Sequence, residues 1–301
     1  MHFTSFSRRA TLVALAATLA IGISGSGRAA DFPALNAPAT GETHPGKFVW
    51  AELFTADPAA ATKFYTGVFG WTSGTLNKDG VGYTVFSNGT HPVAGLRRRS
   101  LTAIGHSARW VHYIAVADIN GTLALATKAG ATIRAPARPF PDLGSQAIIT
   151  DVDGSPVGLI QSTSGDSADT DPVAGDWNWV HLFVKQPATA AEFYRTVFNY
   201  ETAPDSRPGK SAEWVLSNGP VNRGGISVIP DREDAKPGWL GVIRVADLDA
   251  TLALVPGLGG EVMVAPHEAA FGSRFAVIAD PTGGTVGLVQ YLNNVNPVNH
   301  P

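Results

Sequence analysis

The 301-residue chain contains no cysteine. That absence alone excludes disulfides, a thiol nucleophile, a cysteine zinc site and a lipoprotein anchor. Charged residues are sparse, at 16%, and they form no basic stripe, which argues against a nucleic-acid partner. No serine sits in a Gly-x-Ser-x-Gly elbow, so Ser-His-Asp catalysis has no support. Long apolar runs are also scarce. The stretch from Ala10 to Ile23 is too short and too rich in small residues for a comfortable bilayer span. It follows Arg8-Arg9 and precedes Gly27-Arg28-Ala29, so residues 1–29 read as a cleaved export signal. Ser7-Arg8-Arg9-Ala10-Thr11-Leu12 also approximates a twin-arginine address. Loss of Arg8, Arg9 and Arg28 takes the net charge from −3 to −6. The expectation is a periplasmic or secreted protein, exported by the Sec or twin-arginine route and free of the membrane once the signal is gone.

What the sequence does have is repetition. Trp50 to Trp71 reads as a strand, an Asp57-Pro58 helix start and a short amphipathic helix with Phe64, Tyr65, Val68 and Phe69 on one stripe. The same series returns at Trp179 to Tyr200, with Pro58/Pro187, Phe64/Phe193, Tyr65/Tyr194 and Phe69/Phe198 each 129 residues apart. Within each copy the order restarts. Asp118 caps a second helix that ends near Gly130, and Asp247 caps its counterpart, which Pro256-Gly257 should end early. Three short strand-like runs follow each helix, and Asn88-Gly89 and Asn218-Gly219 mark hairpin turns. With 44% hydrophobic residues the chain can bury two cores of roughly 120 residues each.

These signals predict an α+β fold of four βαβββ modules, building two paired, cup-shaped mixed sheets with helices on the outside. Residues 30–46 read as a flexible lead and 47–162 as the first two-module domain. Residues 163–176 form an acidic linker, 177–291 the second domain and 292–301 a tail. The linker between modules two and three favours pairing of modules one with two and three with four.

The Asp-Pro…Phe-Tyr…Phe-Gly-Trp opening and the Asp-x-x-Gly-x-x-x-Gly-Leu-x-Gln ends at Asp151 to Gln161 and Asp280 to Gln290 resemble the vicinal oxygen chelate superfamily. That group includes glyoxalase I, bleomycin-resistance proteins, fosfomycin-resistance enzymes and extradiol dioxygenases, and the likeness spans residues 47–291. The resemblance implies a ligand inside the cup. It also implies metal ligands from the first strands and a glutamate from the last strand of paired modules. The first-strand positions fall on Trp50, Val111, Trp179 and Leu240, and the glutamate positions on Gly158 and Gly287. Gln161 and Gln290 lie an odd offset further and point to the opposite face. The usual metal triad is thus missing from both halves, and no cofactor is expected; a divalent metal on a nonstandard set is the alternative.

A different set is present. Glu52, His112 and His181 each follow a tryptophan by two residues in first strands, at Trp50, Trp110 and Trp179. By period 2, Glu52 shares a face with Trp50 and His181 with Trp179, while the facing of His112 is open. Glu52, His112 and His181 are the candidates for acid–base or metal chemistry, against the plainer reading of hydrogen-bonded polar groups in an aromatic cup. Trp50, Trp110 and Trp179 either pack sheet on helix or wall a ligand. Arg244, a lone charge in an apolar strand, needs a partner, in a salt bridge or a ligand carboxylate. Arg97-Arg98-Arg99 reads as a solvated strand edge. The Asp151 and Asp280 loops lack the ligands of a calcium site and read as turns. The functional expectation is binding of a small organic molecule in one or both cups; the alternative is a lyase, isomerase or dioxygenase-like enzyme with a nonstandard site. The second half is the better candidate, holding His181, Arg223 and Arg244.

Overall fold

The computed structural model describes residues 34–78, 81–100, 107–140, 142–205, 212–231 and 236–292. The expected export signal and residues 293–301 of the tail lie outside them.

The first half runs β1 (Phe48–Thr55), α1 (Pro58–Phe69), β2 (Thr72–Lys78), β3 (Val81–Asn88), β4 (His91–Arg98), β5 (Arg109–Ala115), α2 (Ile119–Lys128), β6 (Thr132–Phe140), β7 (Gly144–Thr150) and β8 (Pro156–Gln161). The second repeats it as β9 (Trp177–Val184), α3 (Pro187–Phe198), β10 (Glu201–Pro204), β11 (Trp214–Asn218), β12 (Val221–Val228), β13 (Gly238–Arg244), α4 (Leu248–Leu254), β14 (Glu261–Ala269), β15 (Ser273–Ala279) and β16 (Thr285–Tyr291). Each half is one eight-stranded mixed sheet, in the orders β2-β3-β4-β1-β5-β8-β7-β6 and β10-β11-β12-β9-β13-β16-β15-β14. Modules one and two therefore share one sheet, and three and four the other.

Local chemistry explains the helices. Asp57, Asp118 and Asp247 each accept backbone N–H groups of the first turn, and α1 and α3 begin on prolines. The Gly-Leu-x-Gln glutamines complete α2 and α4: Gln161 Oε1 accepts from Ile119 N (3.2 Å) and Gln290 Oε1 from Leu248 N (3.1 Å). Helix α4 stops after seven residues and passes into a 3-10 turn at Pro256–Leu258. Strand β6 runs through Pro136 and Pro139, because it is an edge strand whose missing N–H groups cost no ladder bond.

The sheets are curled. Arg97 on β4 reaches Gln146 on β7 (3.2 Å), although β1, β5 and β8 lie between those strands in the sheet. On a flat sheet that separation would approach ~19 Å. The helices cover the outer faces, and there the two halves interlock. One core joins α1 side chains Phe64 and Val68 to Ile243, Leu248 and Ile278 of module four, and another joins Leu123 of α2 to Phe193 and Val197 of α3. Each module thus buries its helix against the opposite half.

A repeated polar relay runs through this seam. Trp110 Nε1 donates to Tyr65 Oη (2.8 Å), which donates to Asp280 Oδ2 (2.9 Å). Its counterpart runs from Trp239 Nε1 to Tyr194 Oη (2.9 Å) and on to Asp151 Oδ2 (3.0 Å). The other oxygen of each aspartate organises its own turn, Asp151 through the N–H groups of Asp153 and Ser155 and Asp280 through those of Thr282 and Gly284. Both loops are therefore turns, and the carboxylates that shape them are also the anchors between halves.

The lead and linker are tied down together. Thr40 N donates to Ser164 O, His44 N to Asp166 Oδ2, and Lys47 Nζ to the carbonyls of Ser167 and Ala168. Within the lead, read from composition as flexible, Asn36, Thr40, Gly41 and His44 donate backbone N–H groups to the linker, and Gly46 donates to Ala115 of β5.

The relay carries a testable consequence. Tyr65→Phe strands both the Trp110 N–H and an Asp280 oxygen in a fully buried seam, so a loss of about 1–3 kcal/mol in unfolding free energy is expected by denaturant titration.

Candidate functional site

The inner face of each sheet forms a cup, and the two cups differ. In the first, Trp50, Glu52 and Phe54 alternate inward along β1, as period 2 predicts. Glu52 has no exposed surface, and it is saturated with hydrogen bonds. Arg97 grips it with two bonds, Nε to Oε2 and Nη2 to Oε1, both 2.9 Å. Tyr83 Oη donates to Oε1 and Tyr113 Oη to Oε2, each at 2.8 Å. Trp50 Nε1 donates to Tyr83 Oη (3.2 Å). Burial and the adjacent carboxylate push both phenols well above their ordinary range, so they remain donors. The guanidinium lies 4.3 Å from the centre of the Phe140 ring and 4.8 Å from that of Tyr83. The reading of Arg97 as part of a solvated edge is corrected here: alternation turns it inward, where a buried carboxylate needs a cation.

This cluster fills the first cup. The glutamate position at Gly158 lies under the Tyr113 ring, where any Cβ would come 2.3 Å from a ring carbon. Leu143, fully buried, packs into the same cluster.

The second cup is open. A cavity of about 340 Å³ is walled by Trp179, Phe183, Leu240, Val242, Phe271, Phe275 and Tyr291, with His181, Ser227 and His267 among its polar groups. Register shows how it opens. His181 stands where Glu52 does, and Ser227 opposite Phe183 takes the place that Arg97 takes opposite Phe54. Val242, opposite Trp179, replaces Tyr113, opposite Trp50. Glu213 stands at the position of Tyr83, but its carboxylate accepts the Val228 N–H at 3.2 Å. Smaller groups thus replace the plug.

His181 Nε2 lies 2.9 Å from Ser227 Oγ, and its ring stacks on Phe183 at 4.6 Å. Burial lowers its pKa to about 4, so the imidazole is neutral at pH 7. Trp179 Nε1 is buried without a hydrogen-bond partner among the described residues. Tyr291 Oη accepts from Asn178 Nδ2 (3.0 Å) at one end of the cavity.

The other candidates lie elsewhere. Trp110 faces the helix layer, where its N–H feeds the relay, and it lines neither cup. His112 also faces outward, so the sheet separates it from Glu52. Its ring packs on Trp177 and on the backbone of Gly241, where a Cβ would meet it at 2.2 Å. Its Nε2 is buried without a partner, and burial lowers its pKa to about 3. Arg244 donates to the carbonyl of Pro172 (2.8 Å) and lies 5.6 Å from the centre of the Tyr291 ring, so a linker carbonyl and a ring are partners that its sequence context does not suggest. Arg223 is held by Asp169 of the linker through two bonds, Nη1 to Oδ1 (2.5 Å) and Nη2 to Oδ2 (2.9 Å).

A metal does not fit this donor set. In the second cup the family positions are Trp179, Leu240 and Gly287, none of which offers a ligand atom. Gly287 is shadowed by the Phe275 ring, 2.9 Å from a Cβ placed there. No described cluster of three His, Asp or Glu side chains could hold an ion, and no carboxylate lines the cavity.

Family models match both halves. Residues 47–159 match the model described as "Glyoxalase/Bleomycin resistance protein/Dioxygenase superfamily", and residues 179–289 match "Glyoxalase-like domain". The chain belongs to the glyoxalase/bleomycin-resistance/dioxygenase superfamily. Among similar proteins, the one named "Putative glyoxylase CFP32" of Mycobacterium bovis is 29% identical over 262 residues, covering 84% of this chain and 98% of its own. The "Anthracycline biosynthesis protein DauV" of Streptomyces sp. strain C5 is 28% identical, covering 82% and 94%. Among solved structures, the Mn(II)-bound glyoxalase of Novosphingobium aromaticivorans matches with a TM-score of 0.58 at 15% identity, covering 86% of each chain. The 2,3-dioxygenase LapB of Pseudomonas sp. KL28 matches at 0.56 and 14%, covering 84% and 93%. These two share the vicinal oxygen chelate fold with this superfamily member.

The buried imidazole at the seam sets a pH dependence. His112 titrates near 6.5 when unfolded and near 3 when folded, so the unfolded chain binds the extra proton between those values and stability falls as the pH drops through that window. His112→Phe should shrink the loss of unfolding free energy between pH 7 and pH 4.5 by about 2 kcal/mol, measured by urea titration at both.

Proposed function

We propose that this protein is an exported, metal-free binding member of its superfamily that takes one small organic molecule per chain, in the second cup. The observation that carries this reading is the contrast between the cups. The Glu52–Arg97–Tyr83–Tyr113 cluster occupies the first, while the equivalent positions leave a cavity of about 340 Å³ in the second. Such a cavity, mostly apolar with a few convergent polar groups, suits a small ligand. The sheet separates His112 from Glu52, which leaves the first half without a convergent acid–base pair and favours a binder. The donor set of the second cup supports metal-free binding. Export rests on the amino-terminal pattern of Arg8-Arg9, an apolar run and Gly27-Arg28-Ala29. The anthracycline-biosynthesis name of one relative is compatible with an aromatic ligand.

An enzyme is the second reading, because neutral His181 beside the Ser227 hydroxyl could act as a general base within the cavity. The two readings part on the fate of the ligand: a binder returns it unchanged, an enzyme does not.

Native mass spectrometry of mature protein, purified without chelators or metal-affinity tags, tests the proposal. One organic mass per chain is expected, recovered chemically unchanged, with no stoichiometric metal. Leu240→Trp, which fills the second cup, should abolish it. Two organic masses per chain, stoichiometric Fe, Mn, Ni or Zn, or a ligand retained by Leu240→Trp would contradict it.

A further inference from the structure

We infer that the second cup takes an uncharged aromatic molecule and that Phe271, on the turn between β14 and β15, is the side chain that lies against its ring. The inference rests on the reading of the second cup as a binding cavity and names the chemistry of what it binds.

In the first half the corresponding turn helps to fill the cup. Leu143 is fully buried there, and the Phe140 ring centre lies 4.3 Å from the Arg97 guanidinium. Pairing of Phe140 with Gly144 and of Ala269 with Ser273 makes the two turns equivalent. Phe140 and Leu143 thus correspond to Ala269 and Gly272, and that difference clears space inside the second cup. At the position between them the sizes run the other way. Asp142, at φ 67°, corresponds to Phe271, at φ 62° and ψ 30°. Aspartate tolerates this left-handed region, whereas a bulky side chain is strained in it. Hydrogen bonds on either side hold the strained residue in place: Ser273 Oγ donates to the Ala270 carbonyl (2.8 Å) and the Leu292 N–H to that of Gly272 (3.2 Å). Phe271 lines the cavity and keeps part of its surface exposed. Strain of this kind is characteristic of ligand clamps, and what a phenyl ring offers a ligand is its face or its edge.

The other walls have the same character. Phe183, Phe275 and Tyr291 line the cavity, and among the described residues no Asp, Glu, Lys or Arg does. Arg244 stays outside it, over the Tyr291 ring and bonded to the Pro172 carbonyl. His181 is neutral at pH 7, because burial lowers its pKa to about 4. An ion entering this cup would lose its hydration without meeting a counter-charge. The His181–Ser227 pair, 2.9 Å apart, supplies a neutral polar point, since a serine hydroxyl can still bond one polar group of a ligand. Rings on the walls and a few neutral hydrogen-bonding groups fit an uncharged aromatic, not a phosphate or a carboxylate.

Isothermal titration of the mature full chain at pH 8, where an ordinary histidine is neutral, tests this with three probes. These are 2-naphthamide, 2-naphthoate, which carries a charge on the same rings, and decahydro-2-naphthamide, which has the same skeleton saturated. The neutral aromatic amide should bind about tenfold more tightly than either analogue, and Leu240→Trp should abolish its binding. Phe271→Asn, which puts a residue suited to the left-handed region on the turn, should weaken 2-naphthamide about fivefold. The same variant should melt no lower than the wild-type chain, because the strain is relieved. The saturated amide binding as tightly as 2-naphthamide would overturn the aromatic ligand, and 2-naphthoate binding as tightly would overturn the exclusion of charge. Wild-type affinity in Phe271→Asn, or a melting temperature well below that of the wild type, would overturn the role of Phe271. Failure of all three probes to bind, or retention of 2-naphthamide by Leu240→Trp, would overturn the ligand class. The loss or retention of the co-purified mass in Leu240→Trp decides the cavity reading separately.

Discussion

A single carboxylate with no exposed surface governs the first half of this molecule. Charge at Glu52 cannot be left unpaired inside a sheet, and removing one partner of such a pair typically costs about 3–5 kcal/mol. The chain answers with Arg97, Tyr83 and Tyr113, which between them satisfy both oxygens. Those side chains are large, and the space they occupy is the interior of the cup. Filling the cup and neutralising the charge are one event. In the second half the acid is replaced by a neutral histidine, the need for a cation disappears, and the cup stays open. The two copies of the repeat therefore differ in their interiors, one packed with its own side chains and one open.

The halves are not independent beads. Each Trp–Tyr–Asp relay starts in the sheet and helix of one half and ends on a turn of the other, so the turns that close β7–β8 and β15–β16 are held by their neighbours' tyrosines. The aspartates gain rigidity at a price in solvation: burial raises the pKa of Asp151 to about 6 against its hydrogen bonds from Ser155 and Tyr194. The linker adds a polar strap, since Asp169 bridges Lys47 at one side and Arg223 at the other.

Much of this was legible in the residues. The 129-residue repeat, the Asp-Pro starts and the Gly-Leu-x-Gln ends define four modules, and period 2 puts Glu52 on one face with Trp50 and His181 on one face with Trp179. What eluded sequence reasoning depends on contacts between strands that are distant in the chain. Arg97 sits in a run of three arginines, and its burial follows from Glu52, 45 residues earlier, meeting it across β1 and β4. Tyr83 and Tyr113 are ordinary strand tyrosines until the sheet curls. Trp110 is similar to Trp50 in sequence context, yet a one-residue difference in spacing to the helix cap turns it to the helix layer. The glutamines that end the repeats carry a structural role, capping α2 and α4, rather than one in the cup.

One cup is filled by its own side chains, and the other is open and largely apolar. Xenon binds apolar cavities without regard to ligand chemistry. A crystal of the mature protein pressurised with xenon therefore tests the claim directly. Xenon density is expected beside Trp179, Leu240 and Phe275 and none beside Glu52 and Tyr113. Xenon in both cups, or in the first alone, would contradict it.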